Sequence, residues 1–263
     1  MFLEDNIMLK FEKTLPVGLQ VYSVRDYASK DLEDTMTKLK EIGYDYVEPA
    51  GLYGKTAEEY KAVLDKCGLT AICAHVPYAE MIADIDKVIA DYTTLGVKYI
   101  AVPYLGEDDR PMAKNFDAVL ENIRNIGKKC AEAGLKYGYH NHSFEFNKVE
   151  DQVMIDYMIQ NTDPQYVFFE MDVYWTVMGK ASPVAYFKKY PGRFKLLHIK
   201  DHKEIGQSGM VGFDAIFKNA EIAGVEHIIV EAEAFESADM MEGVGKCADY
   251  LLKADFVKAD YTK

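Results

Sequence analysis

The feature that most restricts how this chain can fold is an alternation, eight times over, of a short apolar or β-rich run with a helix-length segment. The first pair is Gly18 to Tyr22 followed by Lys30 to Ile42, where Leu32, Met36, Leu39 and Ile42 recur at helical spacing. The unit returns as Tyr46 to Pro49 with Thr56 to Cys67, Thr70 to His75 with Ala79 to Leu95, and Lys98 to Pro103 with Met112 to Ala133. It continues as Lys136 to His140 with Gln152 to Gln160, Tyr166 to Asp172 with Pro183 to Lys189, and Phe194 to His198 with Phe213 to Ala223. His227 to Glu231 and a last helix from about Ala238 to Phe256 complete it. Gly43, Gly68, Gly96 and Gly134 follow the first four helices closely, where a left-handed C-terminal cap favours glycine.

Strands alternating with helices pair in parallel through right-handed crossovers, and eight of them favour a closed barrel over an open sheet. The 263 residues match the roughly 250 typical of that architecture, and no Pro/Gly/Ser-rich linker divides the units. The expected fold is α/β: a (β/α)8 TIM barrel as a single domain over 1–263, with 1–15 as an N-terminal extension. An open doubly wound sheet is the runner-up, and no GxGxxG follows the first strand.

Charge narrows the partners. With 43 acidic against 30 basic residues the net charge is −13, which repels nucleic acid and anionic membrane surfaces and favours a small-molecule ligand. Cys67, Cys73, Cys130 and Cys247 contain no CxxC pair and read as reduced, mostly buried thiols. Met1 to Lys13 mixes Glu4, Asp5 and Glu12 with apolar residues, unlike a signal peptide, and no run is long enough to cross a membrane. A soluble, cytoplasmic protein is the expectation.

In such barrels chemistry gathers at the C-terminal ends of the strands. Four of those ends carry metal-ligand types: Tyr137-Gly-Tyr-His140-Asn-His142, Val167-Phe-Phe-Glu-Met-Asp172, Phe194-Lys-Leu-Leu-His198 and His227-Ile-Ile-Val-Glu231. One strand-end His or Asp is usually a hydrogen-bonded loop residue. Four on otherwise apolar sequence point to a satisfied site, because an isolated buried charge costs several kcal/mol. His140, Asp172, His198 and Glu231 would offer two imidazoles and two carboxylates, a set suited to one divalent ion such as Mn, Zn, Co, Fe or Mg.

Other strand ends supply the rest of the pocket. His142 lies two residues after His140, on the same side if the strand persists, and could ligate, orient substrate or act as a base. Gln20, Tyr22, Glu48 and His75 would line the opposite wall as substrate contacts, and Tyr104, Tyr174 and Trp175 could cover a sugar ring. Lys200 could stabilise a developing oxyanion, or pair with Asp201 at the surface; Asp201 also counts among the expected substrate contacts in the pocket. Glu145 and Glu170 read equally as partners of the histidines or as solvated charges, and Glu233 is a weaker candidate facing the same way as Glu231. There is no GxSxG, P-loop or HExxH. The GQSGMVG stretch from Gly206 to Gly212 either closes over a ligand or merely connects.

Taken together, several segments resemble the xylose isomerase-like sugar phosphate isomerase/epimerase superfamily over nearly the whole chain. They are Gly18-Leu-Gln-Val-Tyr-Ser-Val-Arg25, Ile42-Gly-Tyr-Asp-Tyr-Val-Glu-Pro-Ala-Gly51, Ala74-His75-Val76, Gly138-Tyr-His-Asn-His142 with Phe144-Glu-Phe146, Met171-Asp-Val-Tyr-Trp175, Leu197-His-Ile-Lys-Asp201 and Val230-Glu231. The resemblance implies a (β/α)8 barrel binding one divalent metal through Glu, Asp, His and Glu at strands five to eight. The Asp falls on Asp172, the His on His198 and the last Glu on Glu231. The first Glu falls on His140, a departure, since in ketose epimerases the two glutamates also transfer the proton. The His142 position resembles a histidine base of enzymes that eliminate an aglycone from 3-keto sugars. Related AP endonucleases carry more ligands and a basic face, unlike this acidic chain.

These readings lead to a divalent-metal-dependent sugar isomerase or epimerase that removes a proton beside the carbonyl of a keto sugar, cyclitol or keto-glycoside. Glu231, His142 and Lys200 are the expected catalytic residues. The runner-up is a metal-dependent lyase or dehydratase of the 3-keto-glycoside or inosose type. From another class, a non-catalytic carbohydrate-binding barrel is the alternative. The expected partner is a small carbohydrate substrate, with no nucleic acid or membrane. Homo-oligomers, dimers and tetramers among them, are common for similar barrels.

Overall fold

A computed structural model describes residues 15–110 and 114–257. The expected extension 1–15 therefore lies outside the described residues, apart from Leu15, which opens the first strand. Eight staves form the barrel: β1 (Leu15–Gln20), β2 (Tyr44–Glu48), β3 (Thr70–Ala71 and Cys73–His75), β4 (Tyr99–Val102), β5 (Lys136–His140), β6 (Val167–Asp172), β7 (Phe194–Ile199) and β8 (His227–Val230). Every adjacent pair is parallel, and β8 returns to β1 with Gly18 opposite Ile229. The nearly closed ring is interrupted within β3. Ile72 hands it over there, donating its N–H to Val47 O while its carbonyl accepts from the N–H groups of Lys98 and Tyr99.

The outer layer is α1 (Leu32–Ile42), α2 (Ala57–Cys67), α3 (Ile85–Leu95), α4 (Phe116–Glu132), α5 (Met154–Gln160), α6 (Pro183–Lys189), α7 (Phe213–Lys218) and α8 (Met240–Lys253). Local chemistry explains where they begin and end. Asp31 accepts from Asp34 N to start α1, and Thr56 with Glu59 forms a reciprocal capping box at α2. Gly43, Gly68 and Gly96 close α1, α2 and α3 in the left-handed region, as expected from the sequence. Gly134 also has positive φ but stands one residue beyond the cap of α4, Ala133.

Three boundaries differ from the periodic reading. The expected helix from Ala79 to Leu95 breaks into Tyr78–Ala83 and α3, because Asp84 leaves helical geometry (φ −157°, ψ 81°) and caps α3 by accepting from Lys87 N. Asn219 interrupts the segment from Phe213 to Ala223 and donates to Ala215 O, the local competition with helix typical of Asn. The segment from Gln152 begins as a two-residue strand, Gln152–Val153, paired antiparallel with Lys148–Val149 before α5 starts.

Alternation along each stave sorts side chains between two cores. One faces the helices. The other fills the barrel and contains Ile72, Cys73, Tyr99, Ala101, Phe168, Leu196 and Ile229. Gly138 belongs to this interior: a Cβ there would lie 2.4 Å from the Phe168 ring, so the missing side chain lets that ring occupy the barrel centre. Continuing the same parity upward from Phe168, Leu196 and Ile229 gives Glu170 and Asp172, His198 and Lys200, and Glu231. The apolar plug is thus the floor on which the polar residues stand.

Candidate active site

Eight buried polar residues converge above that plug: Gln20, Glu48, His75, His140, Glu170, Asp172, His198 and Glu231. They come from the ends of seven staves. Two groups within this set have ligand atoms that lie within 4.8 Å of one another, His140 with Asp172, His198 and Glu231, and Glu48 with His75, Glu170 and His198. The first is the set expected from the sequence, and the fold brings all four together.

Hydrogen bonding orients the donors of the upper set. His140 Nδ1 lies 3.1 Å from Pro103 O, a contact that requires the proton on Nδ1 and leaves the Nε2 lone pair bare. Asp172 Oδ1 accepts from Trp175 N at 2.7 Å, capping the short helix Val173–Met178, which leaves Oδ2 free. His140 Nε2 and Asp172 Oδ2 stand 3.7 Å apart, and neither has a hydrogen-bond partner. His198 places Nε2 at 2.6 Å from Glu48 Oε2 and Nδ1 at 3.3 Å from Glu231 Oε2. Both nitrogens of His198 thus face carboxylates, and Nδ1 turns toward the same space as Glu231. Two imidazoles and two carboxylates therefore meet, each held from behind by a second partner, and once Nδ1 of His198 gives up its proton these donors fit a divalent ion. Burial disfavours a charged His198, but Glu170, Glu48 and Glu231 outweigh it and hold the ring well above the usual histidine range.

Around this group lies a pocket of about 570 Å³ bounded by Tyr22, His75, Tyr104, His140, His142, Glu231 and Glu233, among others. His142 is half-buried, its ring stacked on Phe144 at 5.8 Å and tilted against Trp175 at 5.6 Å. Burial, reinforced by the neighbouring His140, pushes its pKa down to about 2, so the ring is neutral. Glu145, buried beneath it, accepts from His142 N at 2.9 Å and from the Tyr139 hydroxyl at 2.8 Å. Burial raises the Glu145 carboxyl to about 8 despite those bonds.

Lys200 is 2% exposed. Its Nζ contacts Glu233 at 2.8 Å and Glu231 at 3.3 Å, with the Trp175 ring 5.9 Å away. Burial lowers its pKa, but Glu231, Asp172 and Glu233 outweigh that and hold the ammonium above the ordinary lysine value. Burial likewise opposes the charge of Glu231, yet Lys200 and His198 hold its carboxyl well below the usual range.

Not every expected residue faces the pocket. Tyr22 and Tyr104 stand at its rim, 43% and 45% exposed, and Trp175 is half-buried with an unpartnered indole Nε1. Gln20 lies below, donating to Glu48 Oε2 at 2.8 Å and accepting from Tyr22 N. Asp201 is spent on its own loop, accepting from the N–H groups of His202, Gly206 and Ser208 and from the Ser208 hydroxyl. The Gly206 to Gly212 segment is thereby tethered. Glu170 is a core member of the site, 0% exposed, with Oε2 at 2.8 Å from His75 Nε2. Its sequence signal was its position two residues before Asp172, the same parity that pairs His140 with His142.

A xylose isomerase-like TIM barrel family profile matches residues 36–253. The chain belongs to that family. An inosose dehydratase from Lacticaseibacillus casei is 24% identical over 245 residues, covering 76% of this chain and 82% of its own length. A solved sugar phosphate isomerase/epimerase from Parabacteroides distasonis is 33% identical, with a TM-score of 0.82 over 92% of this chain and 95% of that one. The IOLI protein, solved with a bound zinc atom, superposes with a TM-score of 0.72 over 93% of this chain and all of its own, at 12% identity. Among the described residues no helix is long and apolar enough to cross a membrane.

Proposed function

We propose that this family member is a divalent-metal-dependent enzyme that removes a proton beside the carbonyl of a keto sugar, cyclitol or keto-glycoside, and that it works as an isomerase or epimerase. The observation that carries this reading is the pair of unpartnered buried atoms, His140 Nε2 and Asp172 Oδ2, 3.7 Å apart next to the neutral His142 ring. A divalent ion held by His140, Asp172, His198 and Glu231 would polarise the carbonyl and an adjoining hydroxyl. The zinc of the IOLI structure supports a metal in this fold, without identifying which metal this chain uses.

The remaining work falls to the chain's own side chains. His142 accepts the carbon-bound proton on a ring nitrogen. Hydrocarbon and cationic neighbours weaken it as a base in the free pocket, and negative charge growing on a bound substrate opposes that effect. Glu145 fixes the backbone at His142 and so the reach of the ring. Lys200, kept charged by Glu231 and Glu233, offsets the negative charge on the substrate oxygen. Trp175 presents an indole N–H and a ring face to the sugar. Returning the proton to the neighbouring carbon isomerises the sugar; returning it to the other face of the same carbon epimerises it.

A second reading, dehydration, is favoured by Lys200. A buried ammonium beside Glu231 and Glu233 can offset the negative charge on a departing hydroxide, and curated relatives include inosose dehydratases. Incubation of ketoses, inososes and 3-keto-glucosides in deuterated buffer separates the readings. Deuterium on the carbon beside the carbonyl, with the carbon skeleton and its hydroxyls retained, is the expected result. Loss of a β-hydroxyl or aglycone would replace it with the elimination reading. Binding without exchange across the panel would overturn both and leave a carbohydrate-binding barrel.

A further inference from the structure

We infer a second divalent-cation site in the floor of the pocket, held by Glu48, His75 and Glu170 below the His140–Asp172–His198–Glu231 group. The three side chains come from β2, β3 and β6 and are 0%, 5% and 0% exposed. Their ligand atoms, with that of His198, fall within 4.8 Å of one another. His75 Nε2 lies between the two carboxylates, 2.8 Å from Glu170 Oε2 and 3.6 Å from Glu48 Oε2. Each glutamate has one further oxygen, Glu48 Oε1 and Glu170 Oε1, buried and with no hydrogen-bond partner. A buried carboxylate oxygen left in that state is costly, and both belong to this one cluster.

The combined cluster holds four buried carboxylates, Glu48, Glu170, Asp172 and Glu231, against Lys200 and the His198 ring, whose Nε2 faces Glu48 and Glu170 at 2.6 and 3.5 Å. A divalent ion held at Nδ1 of His198 displaces that ring's second proton and leaves one excess negative charge, and the lower glutamates have no lysine or arginine within ion-pairing distance among the described residues. A 2.8 Å nitrogen–oxygen approach between His75 and Glu170 requires a proton or a cation between them. The proton serves when the lower site is free, and the second ion displaces it on loading. His198 need not change tautomer. It keeps Nε2–H on Glu48 Oε2 and presents Nδ1 to the upper group, so the two sites share a wall without sharing a ligand atom. Two carboxylates and one imidazole suit Mn, Zn, Co or Fe. Where two metals stand close they clamp adjoining substrate oxygens, and the same role here would favour a substrate with neighbouring carbonyl and hydroxyl groups.

The test is metal stoichiometry with Mn or Zn alone as the probe. Wild-type chain loaded with excess metal and dialysed against metal-free buffer is expected to retain two ions per chain by mass spectrometry. Glu170→Gln and His75→Asn should each retain one, and Asp172→Asn should lose the upper ion while keeping the lower. Anomalous diffraction from the wild-type protein at the metal edge provides the measurement independent of any variant, with a peak expected between Glu48, His75 and Glu170. A wild type that holds one ion, with no anomalous peak in the floor, overturns the second site and leaves the upper one intact. Retention of two ions by both Glu170→Gln and His75→Asn, with melting curves like wild type, also overturns it. A wild type with an anomalous peak in the floor and none between His140, Asp172, His198 and Glu231 would instead count against the metal-dependent reading of the function.

Discussion

At the N-terminal end of the barrel, Glu226 is enclosed by Lys98 at 3.0 Å, Lys136 at 2.9 Å, Lys195 at 3.7 Å and the Tyr99 hydroxyl, whereas at the C-terminal mouth the carboxylates and imidazoles are left incompletely bonded. Of the nine buried side-chain polar atoms without a partner among the described residues, six belong to Glu48, His140, His142, Glu170, Asp172 and Trp175. Both ends are built from strand-terminal charged residues on the same staves. One end surrounds its carboxylate with partners inside the protein and so contributes to holding the barrel closed. The other defers that match, which is costly unless something binds. Conserving the fold and serving the ligand are thus separated along the barrel axis.

The comparison breaks most readily at the upper group. His140→Ala, Asp172→Ala and His198→Ala should each lose the upper ion and turnover, as read by mass spectrometry and the exchange assay. If the upper ion survived all three, the mouth would be no more a binding site than the base. Next in size, His142→Phe keeps an aromatic ring of similar shape and removes the proton acceptor. Turnover should fall by about 10²- to 10⁴-fold with metal content unchanged. A loss of metal in that variant would reassign His142 as a ligand.

Between the two ends, Gly138→Ala tests the plug. Its methyl would collide with Phe168, and overpacking of this kind costs about 1–3 kcal/mol, visible as a lower melting temperature. The smallest effect is expected at the base. Burial raises the Glu226 carboxyl, but hydrogen bonds from Tyr99, Lys136 and Lys98 outweigh that and bring it to about 2. A carboxylate with a folded-state pKa below its unfolded value stabilises the fold above the unfolded pKa and loses that contribution as pH falls toward the folded one. Glu226→Gln should therefore cost about 1 kcal/mol or less after solvent screening at neutral pH, with the difference from wild type shrinking from about pH 4.5 towards 2. Equilibrium unfolding across that range checks it. A large loss of turnover in Glu226→Gln would deny the separation between the ends.

Much of this was legible in the sequence because strand and helix periods are local. The eight repeats, the glycine caps of α1 to α3 and the placement of His140, Asp172, His198 and Glu231 at strand ends all follow from spacing along the chain. Breaks at Asp84 and Asn219 were missed because a single polar side chain can outcompete a helical pattern through one hydrogen bond. Glu48 and Gln20 were read as substrate contacts and Asp201 as a pocket residue. In the structure Gln20 holds Glu48, Glu48 holds His198, and Asp201 holds its own loop.

What the sequence determined by itself is the barrel and the list of residues that reach its mouth, since period and parity set the face each side chain takes. Only the tertiary structure decided which of those residues meet and which atoms remain unpartnered. Strands from distant parts of the chain close on one another through the ring, so the pairing of Glu48 with His198, 150 residues apart, and of His75 with Glu170, depends on register and stave order. Hydrogen bonds to Pro103, Trp175 and Glu48 then select the free lone pair of each candidate ligand, a choice made by three-dimensional neighbours that no spacing along the chain encodes.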